Sequence, residues 1–180
     1  FRVPLDHHNA EGSNKTIKVF VRELVSDSNK DTANLPYLLY LQGGPGFPSA
    51  RPSVPAGGWI GQALSQFRVL LLDQRGTGRS TPMTAQTLAG KGSAEEQAAY
   101  LAHFRADAIV EDCEVIRRTI CCSDQNTDTK VSLLGQSFGG FCLLTYLSNH
   151  PESIERAMFT FGLAPVLRSA DEVYRAAYRS

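Results

Sequence analysis

The sequence predicts an α/β protein, with a mainly parallel sheet and helices on both faces. Three observations carry the prediction. Leu35–Leu41, Phe67–Asp73 and Val131–Leu134 are almost unbroken apolar runs of strand length, and a strand with no polar face belongs in a sheet buried on both sides. Helical patterns lie between these runs, and strands alternating with helices build parallel sheets. The third run ends in Gly135-Gln136-Ser137-Phe138-Gly139 and passes straight into a second apolar segment. Strand, sharp turn and helix therefore follow one another with a serine at the apex.

The elements follow in order. Phe1 to Asp6 and Thr16 to Leu24 alternate apolar with polar residues around the turn-rich stretch from His8 to Asn14, which reads as an N-terminal β-hairpin. The first buried strand ends in Gln42-Gly43-Gly44-Pro45-Gly46, and a loop from Phe47 to Gly58 rich in Pro, Gly and Ser leads to a short helix, Trp59 to Gln66. The second buried strand ends in Asp73-Gln74-Arg75-Gly76-Thr77-Gly78-Arg79-Ser80. That loop has the glycines of a phosphate cradle but not the lysine or spacing of a P-loop, so it reads as a structural turn in which Asp73 and Arg75 pair locally.

Ser93-Ala94-Glu95-Glu96 is a capping box opening one long helix. Its core stripe is Ala102, Ala106, Ile109, Cys113, Ile116 and Ile120, spaced at helical intervals. The polar loop from Ser123 to Lys130 returns the chain to the third strand. The helix after Ser137 runs to about Asn149, before Pro151 stops it. A strand from Ile154 to Phe161 and a helix from Ser169 to Ser180 complete the chain.

Composition excludes several classes. The 18 basic and 18 acidic residues cancel without a run of like charge, so no nucleic-acid partner is indicated. No apolar run approaches the ~20 residues that span a bilayer, so no membrane partner is expected either. Cys113, Cys121, Cys122 and Cys142 show neither Cys-x-x-Cys spacing nor a histidine at ligand distance. They read as reduced thiols and, with them, as a cytoplasmic protein, although the chain opens on Phe1 and a removed signal peptide would leave no trace. Asn14-Lys15-Thr16 is a glycosylation sequon of consequence only in a secreted protein.

The chemistry concentrates on two loops. In a parallel α/β sheet the loops at the carboxyl ends of the strands meet on one rim, where ligands bind. Gln42 to Pro45 and Gln136 to Gly139 both leave such ends. A serine hydroxyl becomes a useful nucleophile on a tight corner beside a general base and N–H donors. Ser137 is the candidate nucleophile; N–H groups of the first loop and of Phe138 outline an oxyanion hole beside it.

Leu41-Gln42-Gly43-Gly44-Pro45-Gly46, Asp73 to Ser80 and Gly135-Gln136-Ser137-Phe138-Gly139-Gly140, taken together, resemble the proline iminopeptidases, which are α/β-hydrolase serine aminopeptidases. Val3-Pro4-Leu5-Asp6-His7 and Phe104-Arg105-Ala106-Asp107 extend the similarity to the larger prolyl aminopeptidases and over nearly the whole chain. Gln42 departs from the commoner His-Gly-Gly-Pro-Gly pattern. The resemblance implies an α/β-hydrolase fold, Ser137 as nucleophile, and Gly43 and Phe138 as oxyanion donors, with Gly44 as the alternative in the first loop. It implies acyl transfer on small peptides with a free N-terminus, without metal or cofactor.

Such a hydrolase carries its triad in the order Ser, Asp, His, and the triad Asp and His are not found here. Of His7, His8, His103 and His150, only His150 follows Ser137. It stands at the far end of the elbow helix, several turns away at ~1.5 Å per residue. Asp171 falls inside a surface helix. The expectation is therefore an N-terminal part of a longer enzyme: residues 1–165 in the hydrolase core, 166–180 at the start of a cap, and a C-terminal part supplied by the same or a second chain. An esterase or other acyl hydrolase on the same fold, and a non-catalytic α/β binding domain, are the alternatives.

Overall fold

The three apolar runs are the three inner strands of one five-stranded sheet. A computed structural model describes residues 1–9, 15–32, 34–122, 128–161 and 168–179. Most of the expected hairpin turn, including the sequon's Asn14, most of the 123–130 loop and the 165/166 boundary lie outside the described residues. The elements run β1 (Arg2–Pro4), β2 (Thr16–Lys18), β3 (Phe20–Leu24), β4 (Tyr37–Leu41), α1 (Gly58–Ala63), β5 (Arg68–Asp73), α2 (Ala85–Ala89), α3 (Ala94–Ala102), α4 (Ala106–Ile120), β6 (Val131–Gln136), α5 (Phe138–Asn149), a 3₁₀ turn (Pro151–Ser153), β7 (Ile154–Thr160) and α6 (Ala170–Arg179).

The sheet order is β3-β5-β4-β6-β7, with β3 antiparallel to β5 and the other pairs parallel. Successive side chains of a strand face opposite ways. Leu39, Leu41, Leu70, Leu72 and Leu133 accordingly join α4 and α5 in one core, while Leu38, Tyr40, Val69 and Leu71 pack with Ile60, Ala63 and Leu64 in a second. Burial on both faces is what the unbroken apolar runs demanded. No helix among the described residues is long and apolar enough to cross a membrane.

Three expectations change. The second arm of the hairpin divides at Val19: β2 pairs with β1, whereas β3 turns into the main sheet against β5. Val19 itself is buried and its N–H bonds the Phe1 carbonyl, so the chain switches partners without leaving the core. The long helix is two helices, α3 and α4. A continuous helix would give the His103 carbonyl to the N–H of Asp107, but that carbonyl accepts from Arg75 Nη1 instead. Ala102 is exposed, and the buried stripe starts at Ala106 and continues through Ile109, Cys113 and Ile116.

Arg75 does not pair with Asp73. Its guanidinium grips the Asp112 carboxylate at 2.7 and 2.6 Å and also bonds the carbonyls of Leu5 and Pro4. His7 Nε2 adds a 2.8 Å contact to Asp112. Both charged side chains are almost wholly buried, so each needs the other. Asp73 instead accepts the N–H groups of Ser49 and Arg79, tying two loops to the end of β5. The local pairing is absent because each group is satisfied elsewhere: Asp73 by backbone N–H donors and Arg75 by the Asp112 carboxylate and backbone carbonyls.

A second buried cluster locks α4 to α5. Arg117 meets Glu114 through two bonds of 2.9 and 3.0 Å, and Tyr146 of α5 donates to the same carboxylate. Burial pushes the Glu114 carboxyl up, but the Arg117 and Tyr146 hydrogen bonds outweigh it and bring it from 4.5 down to about 2. A carboxyl whose value is depressed on folding stabilises the native state above its ordinary value and loses that contribution as pH falls. The thermal midpoint should therefore drop between about pH 4.5 and about pH 2. Glu114→Gln should flatten that acid dependence and cost on the order of 3 kcal/mol at neutral pH. Melting curves of the two proteins with equal slopes through this window would contradict the assignment.

Candidate functional site

The register of the sheet sets the site. Leu41 of β4 lies opposite Gly135 of β6, so the two loops leave neighbouring strands at the same level. Gly135 and Gly139 are required by closeness: a Cβ on Gly135 would stand 2.5 Å from the Gly139 carbonyl oxygen, and one on Gly139 would stand 1.9 Å from that of Leu41. Strand and helix thus close on the corner only because neither residue has a side chain.

At the apex, Ser137 has φ +52° and ψ −117°. A non-glycine residue held there costs about 1–3 kcal/mol, which the surroundings must impose. They do: the Ser137 N–H bonds the Thr160 carbonyl of β7, and the Ser137 carbonyl accepts from Gly140 and Phe141 as α5 begins. The residue is exposed. Among the described residues its hydroxyl makes no hydrogen bond.

Gly43 faces the serine. A Cβ built on it would lie 3.0 Å from Ser137 Cβ and 3.6 Å from Ser137 Oγ. The structure therefore brings together Gly43 and Ser137, with Gly44 and Phe138 next to them in their loops. Their N–H groups differ in availability. That of Gly43 donates to its neighbour's side chain, Gln42 Oε1, at 3.1 Å. Those of Gly44, Phe138 and Gly139 have no acceptor among the described residues, which for Phe138 and Gly139 follows from the first turn of a helix. A cleft of about 500 Å³, walled by Pro45, Phe104, Phe138 and Phe141, opens beside them.

The other candidate groups lie elsewhere. His150 caps the far end of α5 and contacts Glu111 at 2.8 Å; His7 is engaged with Asp112. Asp171 is exposed on α6. Among the described residues no general base stands within reach of the Ser137 hydroxyl. The buried thiols offer no rival nucleophile, because burial pushes Cys121 and Cys142 up to about 12 and Cys113 well above its ordinary value, and the reactive form is the thiolate.

Sequence reasoning missed the polar layer under the corner. Tyr40 Oη lies 2.6 Å from Gln42 Oε1 and also contacts Gln136 Oε1. The signal was present in the period of two: Gln42, just past the end of β4, lies two residues after Tyr40, and Gln136 lies two residues past Leu134, the partner of Tyr40.

A family profile for the alpha/beta hydrolase fold matches residues 36–179. The chain is 55% identical over 179 residues to a proline iminopeptidase of Aeromonas sobria, covering 99% of this chain and 40% of that protein. It is 39% identical over 174 residues to a proline iminopeptidase of Aspergillus aculeatus, covering 96% of this chain and 38% of the relative. The chain thus spans about two fifths of the length of these relatives. Among solved structures, an esterase from Exiguobacterium antarcticum superposes with a TM-score of 0.55 at 19% identity, over 87% of this chain and 46% of the other; at that identity the likeness concerns the fold. With its sheet order, its strand–serine–helix corner and its profile match in agreement, the chain belongs to the α/β hydrolase fold family.

Proposed function

We propose that the full-length protein is a serine aminopeptidase that releases N-terminal proline from small peptides. The observation that carries the reading is the placement of Ser137: an exposed hydroxyl on a positive-φ corner, 3.6 Å from the Cβ position of Gly43 in the facing loop. The likeness to the two proline iminopeptidases supports the substrate class.

The reaction is acyl transfer. Ser137 Oγ attacks the carbonyl carbon of the N-terminal residue and its proton passes to a histidine supplied from outside these residues; the carbonyl oxygen becomes an oxyanion. The N–H groups of Phe138 and Gly44 are the favoured donors to that oxyanion, because Gln42 already holds the Gly43 N–H. One such donor contributes about 3–4 kcal/mol in comparable sites. The histidine gives that proton to the amide nitrogen as the C–N bond breaks and the amine leaves, and water hydrolyses the acyl-enzyme with the same histidine as base. Residues 166–180 begin the cap in this reading: α6 carries exposed Tyr174 and Tyr178, and Ser169 and Glu172 form a capping box at its start.

The test is kcat/KM for a proline amide against those for the corresponding alanine amide and a simple aryl ester, measured on the full-length protein. A peptidase of this class should favour the proline amide over the corresponding alanine amide by about a hundredfold or more. Turnover of aryl esters with no proline preference would make it an esterase instead.

A further inference from the structure

Beneath the corner, one phenol joins the two loops that the proposed reaction needs to hold in register. Tyr40 is 6% exposed and its ring packs against Trp59, with centroids 4.8 Å apart. Its hydroxyl meets the side-chain amides of Gln42 and Gln136. These residues immediately precede Gly43 and Ser137. A phenol has a single proton, so it donates to one amide and accepts from the NH₂ of the other. Gln42 Oε1 also accepts the Gly43 N–H, so we assign the Gln136 amide, whose O and N exchange places on a flip, with its NH₂ toward the phenol. Gln42 is held at its other end too, since its carbonyl accepts from the buried Gln74 Nε2 at 3.0 Å.

The strands alone do not fix this spacing. Register pairing between β4 and β6 ends at Leu41 and Gly135; beyond it Gln42 enters a loop, while Gln136, the last residue of β6, pairs on its other side with Thr160 of β7. The links there are side chains: Tyr40 to Gln42, Gln42 to the Gly43 N–H, and Tyr40 to Gln136. Burial pushes the phenol's ionisation above its ordinary value, so the proton that the arrangement requires stays in place.

We propose that Tyr40 is a positioning residue for the Ser137 centre: through Gln42 and Gln136 its hydroxyl sets the separation between the oxyanion loop and the nucleophile corner. The inference rests on the serine-hydrolase reading above. Tyr40 touches no reacting atom. Its influence passes through backbone placement, where an error of about 1 Å costs about a hundredfold in rate.

The experiment uses the full-length protein, Tyr40→Phe, Gln42→Leu and the double variant. Each is assayed on a proline amide and for the rate at which a fluorophosphonate labels Ser137. Phenylalanine keeps the ring against Trp59 and removes only the hydroxyl. For Tyr40→Phe, kcat should fall about ten- to a hundredfold with KM within about twofold, and labelling should slow by a similar factor while still reaching completion. A purely structural role would instead lower the labelled fraction and leave the rate per labelled molecule unchanged. The double variant should lose no more than the worse single one, because both substitutions break the same chain of bonds. Unchanged labelling by Tyr40→Phe, or additive losses in the double variant, would overturn the proposal while leaving the serine reading intact. Failure of the unmodified protein to label at all would overturn both.

Discussion

Ser137→Ala in the full-length protein should lower turnover of a proline amide by about a millionfold while leaving the melting temperature nearly unchanged. The two halves of this expectation have separate causes. Removing the hydroxyl removes the atom that attacks, and no neighbouring group can replace it: the nearest thiols are buried and protonated, and His7 and His150 are engaged with Asp112 and Glu111. The fold, by contrast, scarcely uses the hydroxyl. Ser137 is exposed, its side chain has no hydrogen bond among the described residues, and its structural duties belong to its backbone N–H and carbonyl. Alanine keeps both and pays the same positive-φ cost, so stability should move within about 0.5 kcal/mol. Kinetics and thermal melting on the same preparation check both halves. Turnover near that of the unmodified protein would remove Ser137 from the mechanism.

Gly139→Val should have the reverse signature, a folding defect first and lost activity as its result. Any Cβ at this position falls 1.9 Å from the Leu41 carbonyl oxygen, 2.6 Å from its carbon and 2.9 Å from the Gln42 carbonyl oxygen. All three are backbone atoms, so no side chain can swing aside. The end of β4 is itself pinned to β6 through Leu41 and Gly135, and moving α5 away would drag buried Cys142, Leu143 and Tyr146 out of the larger core. A destabilisation above about 4 kcal/mol is expected, beyond the ordinary range for a point substitution. Phe141→Val, at a 44% exposed position two residues on, separates the clash from helix propensity, which differs by only a few tenths of a kcal/mol among such residues. Urea unfolding of the two variants decides it: near-normal stability of Gly139→Val would contradict the described closeness of helix and strand.

Much of this architecture is legible in the sequence because it depends on nearest neighbours along the chain. The strands β4, β5 and β6 announce themselves by runs in which both alternating faces are apolar, and the corner by glycines two residues either side of Ser137. What is not legible depends on partners distant in sequence. Arg75 finds Asp112, 37 positions away, rather than Asp73, two positions away. That choice follows from where α4 docks, and it also splits α3 from α4 by claiming the His103 carbonyl. Likewise, Tyr40 and Gln136 are 96 positions apart. Only the parallel register of β4 and β6 places them on one face, and neither residue type announces a role in positioning. The Val19 break escapes for a related reason: alternation continues through it, and only the partner strand changes.

Whether Ser137 is an activated nucleophile is decided by treating the full-length protein with a fluorophosphonate and locating the adduct by peptide mass mapping. A single adduct is expected on the peptide containing Ser137, absent from the Ser137→Ala protein and formed in step with loss of proline-amide hydrolysis. An adduct on another residue, or complete activity after the reagent has reacted, would contradict it.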